Sequence, residues 1–157
     1  MLLEELITGD QVISLFNKAE YFRSEKHLQD FVEENMALVC RDLFADELLR
    51  YDRESYMEFK RFGANKSRVD FLVEGRKGNY LVECKKPKNT QRELNRCLTQ
   101  ILDYIIIAER NCIEIKESWL ITSKYHNTLH QIILRFKLPI NVCVINNEKQ
   151  AIFRYDI

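Results

Sequence analysis

Residues 69–86 read VDFLVEGRKGNYLVECKK. Two short apolar runs, Val69–Val73 and Tyr80–Lys85, flank the glycine-containing connection EGRKGN. That pattern predicts two strands joined by a hairpin turn at Gly75 and Gly78. Each run carries a carboxylate, Asp70 in the first and Glu83 in the second, and Lys85 stands two residues after Glu83. A charge on a half-buried strand is costly unless it is paired, hydrated or bound to a metal. Side chains alternate faces along a strand, so Leu81, Glu83 and Lys85 share one face while Tyr80, Val82 and Cys84 take the other. Asp70 is in phase with Leu72. A hairpin that aligns these phases gathers Asp70, Glu83 and Lys85 on one patch of the sheet. Two carboxylates held close repel unless a cation sits between them, and oxygen ligands with an open coordination sphere favour Mg²⁺ or Mn²⁺ over zinc. A lysine beside them can orient or deprotonate a water, or neutralise charge developing on a phosphoryl group. Glu-x-Lys alone is an ordinary edge-strand pattern; the aspartate in phase across the hairpin is what adds weight.

Working outward, residues 10–21 (DQVISLFNKAEY) predict a short helix, and Ser24 is a candidate N-cap for a second helix running to Leu43. A loosely alternating stretch over Glu54–Phe62 predicts a strand ahead of the hairpin. Gln91–Arg110 predicts a long helix without Gly or Pro, followed by a strand at Ser118–Ser123, a helix at Asn127–Phe136, a strand at Ile140–Asn146 and an edge strand at Gln150–Arg154. The order implies an α/β fold with a central mixed sheet flanked by helices, an αβββαβ core with an added helix and strand. With no repeats and no Pro/Ser-rich linker, 1–157 is read as a single domain whose residues 1–22 form an N-terminal helical extension.

The composition, 46% hydrophobic and 31% charged over 157 residues, is that of a globular domain with a substantial core. No run approaches the roughly 18–20 apolar residues that span a bilayer, so no membrane association is expected. The opening MLLEELITGDQ lacks a basic segment followed by an apolar one, unlike a secretory signal. Five scattered cysteines without a Cys-x-x-Cys pair argue against zinc and disulfide frameworks. An intracellular, cytoplasmic setting is expected, the host cytoplasm if the chain is viral. The net charge of zero hides a basic centre: Lys60 to Arg96 holds eleven cations and four acids, a surplus of seven, which the rest of the chain offsets. Such a segment suits a polyanion, although a solvated face is the equally common outcome for a charge run.

Two helices add candidates. At 100° per residue, Glu25 lies in line with Leu28 and Val32, at the start of an apolar stripe that turns toward the sheet. A first-turn acid that complements the helix dipole is the plainer account of it. Glu33 and Glu34 point elsewhere, toward solvent. On the long helix, Gln100 and Tyr104 are i, i+4 neighbours beside the stripe Leu94, Leu98, Ile101, Ile105 and Ala108. They serve equally well as a boundary glutamine with a packed tyrosine or as groups reaching over a site at the sheet edge. His126 and His130 share the i, i+4 spacing but lack a third ligand nearby.

The ordered set Asp70, Glu83-Cys84-Lys85 and Gln100-Ile-Leu-Asp-Tyr104 resembles the PD-(D/E)XK nuclease superfamily, and within it the RecB-like branch with its QxxxY motif. SEKHLQDFVEENMALV is similar to the first helix of NucS-type endonuclease domains, where an early glutamate matching Glu25 completes the metal site. The resemblance covers roughly residues 24–145. It implies a restriction-endonuclease-like core and a Mg²⁺- or Mn²⁺-dependent nuclease, an endonuclease acting on DNA. Asp70, Glu83, the Cys84 carbonyl and Glu25 would hold the metal, Lys85 would position the attacking water, and Gln100 and Tyr104 would hold the lysine or the DNA backbone. Lys86, Lys88, Arg92, Arg96 and Arg68 are the matching candidates for phosphate contacts. Val69 stands in place of the motif's proline, and the cysteine cluster of iron–sulfur members is absent. So is a counterpart of the separate DNA-binding domain of NucS-type enzymes, which leaves mismatch recognition unsupported. A homodimer is the expected assembly for a small domain gripping duplex DNA. The alternatives are a catalytically inactive nucleic-acid-binding module of the same fold and a nuclease subunit of a larger restriction, repair or viral complex.

Overall fold

The computed structural model describes residues 14–59, 65–148 and 150–155. Among them, six strands form one mixed sheet in sequence order: β1 (Leu48–Phe59), β2 (Asn65–Gly75), β3 (Asn79–Lys85), β4 (Ile115–Thr122), β5 (Asn141–Ile145) and β6 (Gln150–Phe153). The β1–β2–β3 meander is antiparallel, β3–β4 and β4–β5 are parallel, and β6 returns antiparallel. The parallel pairs require crossovers, supplied by α3 (Thr90–Arg110) and α4 (Asn127–Phe136).

The period-two alternation of the strands sorts the core into two layers. Phe71, Val73, Tyr80, Val82, Cys84, Trp119 and Ile121 point to the side covered by α1 (Glu25–Glu34) and α2 (Met36–Val39), meeting Leu28, Phe31, Val32 and Val39. Leu120, Val142 and Val144 point to the other side, against Leu94, Leu98, Ile101, Leu129 and Ile133 of α3 and α4. Val69 and Leu81 meet Ala108 and Tyr104 further along α3. Leu28 is fully buried, and truncating such a side chain to alanine costs about 2–5 kcal/mol.

Ser24 does cap α1, its hydroxyl accepting from the His27 N–H at 3.0 Å. The helix does not run unbroken to Leu43. Asn35 leaves helical geometry (φ −113°, ψ 24°) and its side-chain amide donates to the Phe31 carbonyl at 2.8 Å, closing α1 before α2 and a π-helical turn at Cys40–Phe44 resume the coil. The helix expected over 10–21 is, in its described part, only a 3₁₀ turn at Leu15–Lys18 capped by Ser14; residues 1–13 lie outside the described residues. β1 begins at Leu48 rather than Glu54, because the ladder with β2 extends from Leu48↔Gly75 to Phe59↔Asn65; residues 60–62 of the expected strand lie outside the described residues. No helix among the described residues is long and apolar enough to cross a membrane.

Candidate functional site

The β2–β3 ladder runs from Glu74↔Asn79 to Phe71↔Val82 and stops there. Beyond that point the strands part, and the backbone donors that a continued ladder would use need other partners. The Asp70 N–H donates to Glu83 Oε1 at 2.8 Å, and the Cys84 N–H donates to Asp70 Oδ2, also at 2.8 Å. Each strand thus caps the other's free amide with a carboxylate, which fixes both acids at the mouth of the fork. β1 is distorted at the same level. Glu54, between the pairs Arg53↔Phe71 and Ser55↔Val69, takes left-handed backbone geometry (φ 53°) opposite Asp70. A non-glycine residue in that region costs energy that the surrounding fold must offset.

Both acids resist ionisation. Glu83 is only 7% exposed; burial first, then the charges of Asp70 and Glu25, push its carboxyl up to about 8. Burial likewise pushes Asp70 up to about 6, against the help of the Cys84 N–H and the Gln29 side chain. Lys85 sits on the Glu83 face, and its ammonium is 3.1 Å from Glu25 Oε1. Burial works against the Lys85 charge, but the Glu25 carboxylate beside it raises the ammonium's pKa overall. Apart from that ion pair, Glu25 Oε1 is enclosed without a hydrogen-bond partner. Lys85 is thus paired to Glu25 and offsets the Glu83 charge only in small part, so burial and like charge outweigh it at the fork.

Tyr104 packs at the α3 side of this group with Val69, Leu81 and Ala108. Burial, followed by the charges of Glu83 and Asp70, pushes its phenol up to about 12. Gln100, one turn earlier on α3, is exposed. The Cys84 thiol is buried on the α1 side, away from Glu83, and burial holds it protonated. Lys88, Arg92 and Arg96 are exposed around the start of α3, and the Lys88 backbone N–H is taken by the Glu93 carboxylate. Lys86 lies 5.8 Å from the centre of the Tyr21 ring. Arg68 reaches Glu54 at 3.6 Å.

Sequence reading missed Arg53, which bridges β1 to α1. Its guanidinium donates to Asp30 at 2.7 Å, Glu33 at 2.5 Å and Gln29 at 3.2 Å. Glu33 is thus engaged rather than solvated, and it also accepts from the Tyr51 hydroxyl at 3.2 Å. An open cavity of about 470 Å³ lies alongside, lined by Glu25, Gln29, Arg53, Glu54 and Arg68. The i, i+4 spacing of Glu25 and Gln29 on α1 was the available signal for Gln29; no local pattern marks Arg53 or Glu54. The histidines do structural work. His126 Nδ1 accepts from the Leu129 N–H at 3.1 Å to cap α4, and His130 bonds the Tyr155 hydroxyl at 3.1 Å.

No family model matches the chain, and no curated protein matches it. Among solved structures, it is similar to an XisH family protein from Nostoc punctiforme, with a TM-score of 0.51 at 12% identity over 80% of this chain and 99% of that one. It also overlaps SfsA from Pyrococcus furiosus, with a TM-score of 0.38 at 14% identity over 82% of this chain and 60% of that one. The first likeness is one of fold. The chain has an α/β, restriction-endonuclease-like core: a mixed sheet flanked by helices in the order the sequence implies.

Proposed function

We propose that this chain is a divalent-metal-dependent nuclease that hydrolyses phosphodiester bonds in DNA, an endonuclease of the RecB-like PD-(D/E)XK branch. The observation that carries the reading is the fork itself. Two carboxylates on different strands, Glu83 buried and Asp70 half-buried, are tied to each other's strand and reluctant to ionise, beside a lysine already paired to a third acid. A structural ion pair would balance its charges; here Lys85 is taken by Glu25, and one Mg²⁺ or Mn²⁺ would neutralise the ionised Asp70 and Glu83. Glu25, whose Oε1 meets the Lys85 ammonium at 3.1 Å, fits the same donor set. Among the described residues, no three metal-ligating side chains are already gathered around one point, so Asp70 and Glu83 would be the primary ligands. Glu25 and the Cys84 carbonyl would assist.

A bound divalent ion would supply electrostatic stabilisation of the phosphoryl oxygens and a lower pKa for water. The chain's own residues would do the rest. Lys85, oriented by Glu25, holds a water beside the scissile phosphate and offers its positive charge to the oxygen that gains negative charge. The Asp70–Cys84 and Glu83–Asp70 hydrogen bonds keep both carboxylates at their positions through the cycle. Tyr104 closes the α3 side of the site. Lys86, Lys88, Arg92, Arg96 and Arg68 would meet the DNA backbone without reading bases.

Cleavage of plasmid and oligonucleotide DNA is the test. With Mg²⁺ or Mn²⁺ the wild-type chain should cut, while chelator, Asp70→Ala, Glu83→Ala and Lys85→Ala should each abolish cutting. Equal cutting by wild type and variants, or indifference to chelator, would remove these residues from the reaction.

A further inference from the structure

Helix α1 sends two side chains, one turn apart on the same face, to the two strands of the fork. Glu25 meets Lys85 of β3 at 3.1 Å. Gln29, half-buried, hydrogen-bonds the Asp70 carboxyl of β2. Asp70 therefore has two donors from its own chain, the Cys84 N–H on Oδ2 at 2.8 Å and the Gln29 side chain.

Arg53 decides which end of the Gln29 amide faces the acid. A guanidinium can only donate, and Arg53 Nη2 donates to Gln29 Oε1 at 3.2 Å. An ionised carboxylate can only accept, so the amide NH₂ group is the one that serves Asp70. Arg53 is itself fixed. Its Nη1 donates to Asp30 at 2.7 Å and to Glu33 at 2.5 Å. Its guanidinium carbon lies 5.9 Å from the centre of the buried ring of Phe71, the residue that follows Asp70. As a tie between β1 and α1 the Gln29 bond is redundant, because Asp30 and Glu33 already hold the guanidinium to the helix. What it adds is a direction for the amide. Three elements thus contribute to one chain of groups that ends on Asp70: Arg53 from β1, Gln29 from α1 and the acid itself from β2. Outer hydrogen bonds of this kind orient metal ligands and strengthen their hold on the ion.

We infer that Gln29 is a positioning residue for a divalent cation at the fork: its amide, set by Arg53, holds the Asp70 carboxylate in the orientation that ligates the ion. The inference rests on the metal half of the nuclease reading and assigns two residues outside the ligand set to it.

Mn²⁺ titrated into the full chain, with the free ion followed by its electron paramagnetic resonance signal, tests this without DNA. The site in question is the one lost in Glu83→Gln. Gln29→Leu removes the donor and keeps the bulk, so it should weaken Mn²⁺ binding at that site about 10-fold or more, with the circular-dichroism spectrum unchanged. Gln29→Met, which matches glutamine in length, should give the same loss and serves if the leucine variant does not fold. Arg53→Lys keeps the charge beside Asp30 and Glu33 but loses the planar fork, and it should weaken binding as well. Added to Gln29→Leu, it should change the affinity by less than about twofold, because Arg53 reaches the ion only through Gln29. Wild-type Mn²⁺ affinity in the folded Gln29 variants, or losses that add in the double variant, overturn the inference and leave the nuclease reading untouched. Absence of Mn²⁺ binding by the wild-type chain overturns both. Mn²⁺ binding that depends on Gln29, in a chain that cuts no DNA, would uphold the inference and refute the nuclease reading.

Discussion

The two ends of the β2–β3 hairpin both bury carboxylates, and they treat them in opposite ways. At the turn, Asp46 is saturated with donors: the Tyr80 hydroxyl at 2.7 Å, the Lys77 N–H at 2.9 Å and the Glu47 N–H at 2.7 Å. Burial would raise its carboxyl, but Tyr80 and the two amides outweigh that and hold it below the ordinary value. At the fork, Asp70 and Glu83 each cap one backbone amide, face each other's charge, and rise to about 6 and about 8. Hydrogen bonds to the charged form lower a carboxyl pKa, while burial and like charges raise it. The turn acid is complete within the fold. The fork acids are not: one backbone amide each does not offset burial and like charge, the kind of perturbation on which the proposed working site rests.

Cleavage should separate the two ends most sharply. Glu83→Gln keeps the acceptor for the Asp70 N–H and removes only the charge, so the chain should fold while DNA cleavage falls by about 10²–10⁴-fold, the scale of lost water activation and charge stabilisation. Tyr80→Phe at the other end should leave cleavage within about twofold of wild type. Comparable losses from the two substitutions in a plasmid-nicking assay would erase the distinction between structural and working carboxylates.

Stability against pH should divide them next, with opposite signs. Glu83 binds its proton more tightly when folded, so its contribution to stability is full below its ordinary value of 4.5 and is lost as pH rises through about 8. Asp70 acts the same way between its ordinary value of 3.8 and about 6. Asp46 acts in reverse: its contribution is present above 3.8 and disappears as pH falls through its lowered folded value. Without divalent metal, the melting temperature should therefore drop between pH 5 and pH 8 in wild type and flatten in Glu83→Gln. Saturating Mn²⁺ should restore the alkaline side, by about 2.7 kcal/mol at a hundredfold excess over Kd. A melting temperature that rises monotonically across that range would show that the fork acids are not destabilised by ionisation.

The turn end should show its own cost in folding alone. Tyr80→Phe leaves Asp46 short of a donor in a buried place, a loss of about 1–3 kcal/mol. Gly75→Ala would drive a methyl group into the Asp46 carboxylate, and overpacking of that kind costs about 1–3 kcal/mol. Urea denaturation measures both. Midpoints equal to wild type would mean that the Asp46 network contributes nothing, and the contrast with the fork would lose its structural half.

These contrasts also explain what could be read from the chain in advance. The hairpin, α3, α4 and the strands between them follow from alternation, helical periodicity and glycine placement, all local signals. The approach of Asp70 to Glu83 was legible for the same reason, since a short hairpin fixes the relative phase of its two strands. The fork was not, because nothing local says where a ladder ends. Nor was the Asp46 network, whose donors come from Lys77 and Tyr80 far along the chain. Arg53 and Glu54 escaped notice because their partners are on α1 and β2. At Asn35, where the first helix breaks, the side-chain amide shares the Phe31 carbonyl with the backbone N–H of the same residue, a choice that propensity alone does not dictate.

The smallest expected effect lies on α3, where the QxxxY resemblance assigns similar importance to two residues that the fold treats differently. Tyr104 is half-buried against Val69 and Leu81, close enough to feel the charges of both fork acids. Gln100 is exposed one turn away. An exposed side chain on that helix is placed to act by meeting substrate, so Gln100→Ala should leave kcat and stability unchanged and raise KM about two- to threefold. Tyr104→Phe keeps the packing and removes the hydroxyl, so its effect should fall on kcat instead. Steady-state cleavage kinetics distinguish the two. A fall in kcat for Gln100→Ala as large as that for Tyr104→Phe would mean that α3 shifts on binding DNA to bring Gln100 over the fork, and the free-state geometry would then understate how much of the helix belongs to the site.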